Sequence, residues 1–303
     1  MLSATPPATD PHYNGIVITH FGNEVLIQDQ HGDRLRAVPR QNLPALATGD
    51  RIHFDTAETG LAIISELAPR HGVLSRLTKN QEKLVAVNID KVLIVCAATP
   101  TLKIGLIDRY LIACELAGLA ASIVFNKIDL LSSVELQNIK ETLAVYADIG
   151  YPVQYVSATS GDGIEDLLGF LDAAISVLVG HSAVGKSSLI KALIPGTTPR
   201  IGEVSLTSKR GQHTTTHTEL YQLGNTGLII DSPGIREFGL KPVDAQHLAQ
   251  GFREFIPYIE QCKFRNCTHT NEPGCAIRQA VTDAKITTAR MESYRAILDS
   301  FQE

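Results

Sequence analysis

Between residues 15 and 67 the chain alternates apolar and polar positions in five short runs, GIVITHF, EVLIQD, RLRAV, RIHFD and LAIISEL. Turn-forming residues separate them, at Gly22-Asn23, His31-Gly32-Asp33, Gly49-Asp50 and Thr59-Gly60. A period of two puts every second side chain on one face, so each run predicts a half-buried strand. Five such strands in so short a stretch predict a small closed barrel of the oligonucleotide-binding (OB) type. From residue 91 the texture changes. KVLIVCAA is continuously apolar, as a buried strand is, and Ile107, Tyr110, Leu111 and Cys114 then recur at helical spacing up to Gly118. ASIVFNKIDLL follows as strand and loop, then a helix over about 133 to 148, the strand VQYV, the helix GIEDLLGFLDAA and the strand ISVLV. Strand alternating with helix predicts a parallel sheet with helical crossovers. Two further strand-like runs, TELYQL and GLIIDS, come next, and a helix over roughly 283 to 300 closes the chain.

The pattern divides into a disordered leader over residues 1–12, an OB-type barrel over 13–70, an α/β domain over 71–240 and a mainly helical domain over 241–303. With 44% hydrophobic and 19% charged residues in a length of 303, the chain has the composition of a multidomain globular protein rather than a fibre or a tail. No run approaches the roughly 18 apolar residues that span a bilayer. The opening MLSATPPATDPHYN lacks the basic-then-apolar order of an export signal, so a cytoplasmic, membrane-free protein is expected. The net charge of -5 gives no global attraction to nucleic acid, and any RNA contact has to come from local patches. In the barrel, acidic residues outnumber arginines, lysine is absent, and the aromatics are Tyr13, Phe21 and Phe54. That leaves RNA contact and simple support of neighbouring domains both open for it. No dimerisation signal stands out, and a monomer is expected.

The chemistry begins at GHSAVGKSS. Gly180, His181, Ser182, Ala183, Val184, Gly185, Lys186, Ser187 and Ser188 follow the pattern G-x-x-x-x-G-K-S between an apolar strand and a helical run. In such a loop the glycines let backbone N–H groups curl inward around phosphates, and the helix beginning near Lys186 adds its positive end. Lys186 reaches the terminal phosphates and the Ser187 hydroxyl ligates Mg²⁺. The base is chosen by the tetrad Asn126, Lys127, Ile128 and Asp129, at the end of its own strand. The Asp129 carboxylate can accept two hydrogen bonds from the guanine ring N–H and exocyclic amine, where adenine offers no matching pair. Lys127 is expected along the base plane, Asn126 tying this loop to the phosphate loop, and Ser157 with Ala158 offering a backbone N–H to the guanine oxygen. Downstream, QHTTTH over residues 212–217 provides a threonine to close on Mg²⁺, with Thr215 taken from among Thr214, Thr215 and Thr216. Asp231-Ser232-Pro233-Gly234 places a carboxylate to hold the metal through water and a Gly234 N–H to sense the terminal phosphate.

The order of these motifs is unusual. Ordinary GTPases run phosphate loop, threonine switch, DxxG, NKxD, SA; this chain runs NKxD, SA, phosphate loop, threonine switch, DxxG. The domain is a circular permutation, with a joint around Ala173 to Ser176 replacing the old ends, and its second switch leads directly into the segment past residue 240. That segment holds Cys262-x4-Cys267-x-His269-x5-Cys275. Four ligands fill a tetrahedral zinc shell, which points to one structural Zn²⁺ rather than a hydrolytic one. A staple of this kind suits a stretch too short to build a large core. Cys96 and Cys114 stand apart in apolar surroundings and read as buried thiols.

Taken together, the permuted order, the small N-terminal barrel and the Cys3His set resemble the ribosome small-subunit-dependent GTPase A family over essentially everything after about residue 12. The resemblance implies a factor that binds the small ribosomal subunit late in its maturation and contacts its rRNA. It also implies GTP hydrolysis to GDP and phosphate that is stimulated by the subunit. The chain departs from the family at Ala183, where glycine is common. At the position just after DxxG, where many GTPases orient water with glutamine, it has Ile235, which cannot polarise water and implies slow intrinsic turnover. His213, present at the matching place in the family pattern, is the candidate catalytic group beside Thr215, and Arg236 is a weaker one. Two other readings stay open on the residues alone: a GTP-gated RNA-binding scaffold, and a GTPase acting on a non-ribosomal partner.

Overall fold

A computed structural model describes residues 12–21, 24–56, 61–78, 81–195, 218–224, 226–231 and 240–301, with the backbone alone over 76–78 and 81–83. Five strands, β1 (Gly15–Phe21), β2 (Glu24–Asp29), β3 (Arg34–Pro39), β4 (Arg51–Thr56) and β5 (Ala62–Leu67), close into a barrel in the order β1-β2-β3-β5-β4. All neighbours are antiparallel except β3 and β5, the pairing that a crossover from β3 through β4 produces. The alternation seen in sequence has its cause here. In β4, Ile52 and Phe54 point inward among Val17, Ile27 and Ile64, while Arg51 and His53 lie outside that core. The fold is the expected OB-type barrel.

Next comes a hairpin, β6 (Leu74–Thr78) with β7 (Gln81–Ala86), that the sequence reading passed over. Its base joins barrel to sheet. Leu74, Val85 and Ala86 are buried in a core shared with Ile18 of the barrel. Val87 N donates to Thr48 O at 3.0 Å and Asn88 Nδ2 to Gly49 O at 2.8 Å. Gly49, at φ +94°, runs so close to this strand that a Cβ would lie 2.3 Å from Val87 O, so only glycine fits. Below it, Arg70 grips the buried Asp50 carboxylate through two nitrogens, both at 2.7 Å.

The central sheet comprises β8 (Lys91–Ala97), β9 (Ala120–Asn126), β10 (Val153–Tyr155), β11 (Ile175–Val179), β12 (Glu219–Leu223) and β13 (Gly227–Asp231). Its order is β10-β9-β8-β11-β13-β12, with every pair parallel except β12 and β13. The unbroken apolar runs of β8 and β9 follow from burial on both faces. Ile94, Ile123 and Phe125 face helices α1 (Ile104–Leu116) and α2 (Ser133–Asp148), whereas Val95, Val124 and Leu178 face α3 (Ile164–Leu171) and α4 (Lys186–Leu193). The joint of the permutation is pinned at both sides. Ala173 N donates to Thr226 Oγ1 at 3.1 Å and Ile175 N to Asp90 Oδ2 at 2.8 Å.

The C-terminal module comprises α5 (Ala245–Gln250), α6 (Ile256–Ile259), α7 (Ala276–Thr282) and α8 (Thr288–Asp299) around Phe252, Phe255 and Tyr294. The single closing helix expected from 283 is shorter, because the chain turns through Ala284 at φ +56° and α8 starts afresh with Thr287 capping Arg290 N. The module is fastened to α1. Ile112 belongs to its core, and Gly251 approaches so closely that a Cβ would sit 2.4 Å from Ile112 Cγ2. Beside them Arg290, 2% exposed, pairs with Asp108, 1% exposed, and with Glu254 at 2.6 Å. Burial and the neighbouring carboxylate push the Tyr146 phenol up, so it stays protonated and donates to Asp108 at 2.6 Å. Among the described residues no helix is long and apolar enough to cross a membrane.

Removing one partner of a buried ion pair leaves a stranded charge, which costs more than the pair itself contributes. Asp108→Ala is therefore expected to lower unfolding stability by about 3 kcal/mol in urea titrations, with Glu254 retaining part of the Arg290 charge. A loss below about 1 kcal/mol would show that this contact does not hold the module in place.

Candidate functional site

Every motif at the ends of β9, β10, β11 and β13 emerges on one edge of the sheet, since these strands are parallel and all are read at their carboxyl ends. That edge is where ligands bind open α/β sheets. Gly180 leaves β11 at φ +139°, and a Cβ there would lie 2.2 Å from Val95 O. Gly185, at φ +98°, is the N-cap of α4 and has no side chain to cap it. The first-turn N–H groups of α4 therefore lack intrahelical partners and carry the helix's partial positive charge to the loop mouth. Lys186 Nζ adds a full charge there, held at 2.8 Å from both Gly180 O and His181 O. Ser187 lies in the same turn, and Asp231 ends the adjacent strand β13. The geometry suits an anion, with the Ser187 hydroxyl in the same turn.

The NKID loop and the phosphate loop are joined directly. Asn126, 1% exposed, donates from Nδ2 to Val184 O at 3.0 Å and accepts from Ala158 N at 3.1 Å. Lys127, in the left-handed region at φ +66°, donates from Nζ to Ala183 O at 2.7 Å and to Thr99 O at 2.8 Å. Ser157 Oγ donates to Asp129 Oδ1, which fixes the carboxylate while leaving its second oxygen available. Ile128 continues this loop with its N–H on Val156 O at 3.2 Å. One detail differs from expectation. The N–H groups of Ser157 and Ala158 are already engaged, by Asp162 O at 2.9 Å and by Asn126, because the buried Asn126 carbonyl requires a donor. Ala183 itself sits at φ +66°, a conformation costing a non-glycine residue roughly 1–2 kcal/mol. His213, Thr215 and Gly234 lie outside the described residues, as do Ile235 and Arg236.

A second constellation lies in the C-terminal module. The ligand atoms of Cys262, Cys267, His269 and Cys275 all fall within 4.8 Å of one another, close enough for one metal ion. His269 Nδ1 faces Cys262 Sγ at 3.6 Å and Cys275 Sγ at 3.5 Å. Burial pushes the Cys267 thiol up to about 12 and keeps the His269 imidazole neutral, so this pocket favours thiolates only when a cation compensates them. Glu272 organises the turn around His269. Although burial opposes its charge, hydrogen bonds from Thr268, Thr270 and Asn271 win and hold its carboxyl at about 2. Sequence spacing found the four ligands but gave no sign of Glu272, nor of Thr99 beside the phosphate loop.

The parallel sheet, the phosphate loop at β11 and the NKID loop at β9 define a P-loop GTPase with its motifs in permuted order. Residues 67–241 match the RsgA GTPase family. Similar proteins include the small ribosomal subunit biogenesis GTPase RsgA of Haemophilus influenzae, 41% identical over 95% of this chain and 85% of the relative. The protein of that name from Pseudomonas aeruginosa is 44% identical over 97% of this chain and 87% of its own. The crystal structure of YjeQ from Thermotoga maritima superposes with a TM-score of 0.80 at 30% identity, covering 96% of this chain and 98% of that one. The structure of YloQ, a circularly permuted GTPase, shares the fold with a TM-score of 0.77 at 22% identity, covering 97% and 98%. The chain belongs to the RsgA GTPase family and is a GTP-hydrolysing enzyme.

Asn126→Asp keeps the shape and the acceptor for Ala158 N–H but sets an oxygen against Val184 O. Leaving that buried carbonyl without a donor is expected to cost about 1–3 kcal/mol in unfolding and to speed amide exchange at Val184 and Gly185. Parent-like stability and exchange would mean that the two loops are held together by something else.

Proposed function

We propose that the chain binds GTP with Mg²⁺ across the phosphate and NKID loops and hydrolyses it to GDP and phosphate on the small ribosomal subunit, late in that subunit's maturation. The observation that carries this reading is the Asn126 bridge, which brings the base-selecting and phosphate-holding loops into one site. Base choice rests chiefly on Asp129: a carboxylate fixed through one oxygen can accept from both guanine donors, and charged hydrogen bonds of this kind contribute roughly 1.5–3 kcal/mol each. Ala158 and Ser157 shape the loop around that carboxylate. Gly180 to Ser188 wrap the phosphates, while Ser187, Asp231 and Thr215 would hold Mg²⁺, which neutralises phosphate charge. Gly234 would meet the terminal phosphate.

The Cys3His cluster would hold a structural zinc. Tetrahedral zinc with bonds of about 2.3 Å to sulfur and about 2.0 Å to nitrogen sets ligand separations of about 3.8 Å between sulfurs and about 3.5 Å between sulfur and nitrogen. Cys262 and Cys275 stand 4.0 Å apart, and His269 lies 3.6 and 3.5 Å from them. Lys263 and Arg265, between the first two ligands, suit contact with rRNA phosphates. The barrel adjoins the residue after the QHTTTH stretch, Thr48 Oγ1 donating to Thr218 O at 3.4 Å. A cytoplasmic monomer fits this reading.

GTP turnover measured with purified small subunits, with large subunits and with neither is the test. Selective stimulation by small subunits is expected; strong binding without stimulation would favour a scaffold, and indifference to both a different partner. With Ile235 unable to orient water, we assign that task to His213. His213→Ala is expected to depress stimulated turnover by about 10²-fold or more while leaving nucleotide affinity within about twofold. Unchanged stimulated turnover would remove His213 from the reaction.

A further inference from the structure

The four knuckle ligands are unequally sheltered. Cys267, His269 and Cys275 are buried, but Cys262 is only half-buried, making it the sulfur that a dissolved oxidant meets first. The distance to Cys275 is favourable too. Cys262 Sγ stands 4.0 Å from Cys275 Sγ, and a disulfide closes that gap to about 2.05 Å with a shift of roughly 2 Å. Cys275 caps α7, its sulfur accepting Arg278 N at 3.5 Å, which fixes this sulfur beside Cys262. Cys267 follows Cys262 through a turn in which Cys267 N donates to Phe264 O at 3.2 Å, and its sulfur lies in the same cluster.

We propose that the knuckle is an oxidation-sensitive latch, in which hydrogen peroxide oxidises Cys262 and Cys275 then closes a disulfide with it, withdrawing two of the four metal ligands. The inference rests on the zinc-staple reading above. In the first step the Cys262 thiolate attacks the peroxide; an S–O bond forms, the O–O bond breaks, and the departing hydroxide takes up a proton to leave as water. Sulfur is oxidised by two electrons and the peroxide reduced by two. In the second step the Cys275 thiolate attacks the Cys262 sulfur; the S–S bond forms, the S–O bond breaks, and hydroxide again leaves as water. Cys267 and His269 remain, too few to retain the metal tightly. The other two thiols do not compete. Cys114 is fully buried, and burial pushes the Cys96 thiol up to about 12, so both stay as unreactive thiols.

The experiment uses full-length, zinc-loaded Cys96→Ala/Cys114→Ala protein treated with hydrogen peroxide, with zinc release followed by a chromogenic chelator and disulfides mapped by mass spectrometry. One zinc released per disulfide, a major Cys262–Cys275 crosslink, and recovery of bound zinc after dithiothreitol are expected. Zinc retained under a large peroxide excess, or a major crosslink involving Cys267, overturns the proposal. Cys262→Asp, which keeps an oxygen ligand, is expected to slow peroxide-driven release at least about tenfold; release at the parent's rate overturns it as well. If that variant cannot hold zinc, the crosslink map of the parent decides alone. Protein purified without zinc contradicts the staple reading itself, and the latch with it, whereas zinc-loaded protein oxidised elsewhere contradicts the latch only.

Discussion

One buried carboxamide does what chain order would ordinarily do. Asn126 lies at the end of β9, yet its two polar atoms reach Val184 of the phosphate loop and Ala158 beyond β10, three stretches that the chain visits far apart. The Asn126 side chain is buried, so neither loop can move off without leaving one of its polar atoms unsatisfied. Lys127 repeats the connection at the rim by holding Ala183 and Thr99 together. Once loops are bound across the sheet edge in this way, the order in which strands are threaded ceases to matter, and the permutation is tolerated. The fold needs only that the new joint be as firm as the old ends, which Asp90 and Thr226 provide.

A second consequence concerns α1. One face of this helix packs on the sheet, and the Tyr110 hydroxyl meets the Gly180 backbone where the phosphate loop begins. Its other side carries Asp108 and Ile112, which fasten the C-terminal module. The phosphate loop and the Cys3His module therefore share a single support. In an unpermuted order the module would follow a base-recognition loop; here it follows β13 and the segment after Asp231, and Arg253 adds a contact to Gly150 O at 3.2 Å beyond α2.

What the sequence disclosed follows from the range of the physics involved. Strand alternation, helical spacing, glycine placement and ligand spacing are local patterns, and they revealed the barrel, the parallel sheet, the GHSAVGKSS loop and the Cys3His set. Features made by contacts between distant residues left no such trace. Asp108 and Arg290 are 182 positions apart, and nothing about either alone marks it as half of a buried pair. The β6–β7 hairpin left little trace because its strands, LSRLT and QEKLVA, mix polar and apolar residues without a clean period, although Leu74, Val85 and Ala86 at its base are buried. The break before α8 was missed for another reason: Ala284 takes a left-handed conformation that sequence reading reserves for glycine or asparagine. Ala183 takes the same conformation in the phosphate loop, so the alanine noticed as a departure from the family turns out to be a strained residue, held in place by Lys127.

In the proposed function, loops reordered along the chain build one guanine-nucleotide pocket. Isothermal titration calorimetry of the purified chain with GDP and with ADP, each in the presence of magnesium, tests it most directly. A single site per chain for GDP, with ADP heats indistinguishable from dilution, is the predicted result. Preference for ADP, or no uptake of either nucleotide, would contradict it.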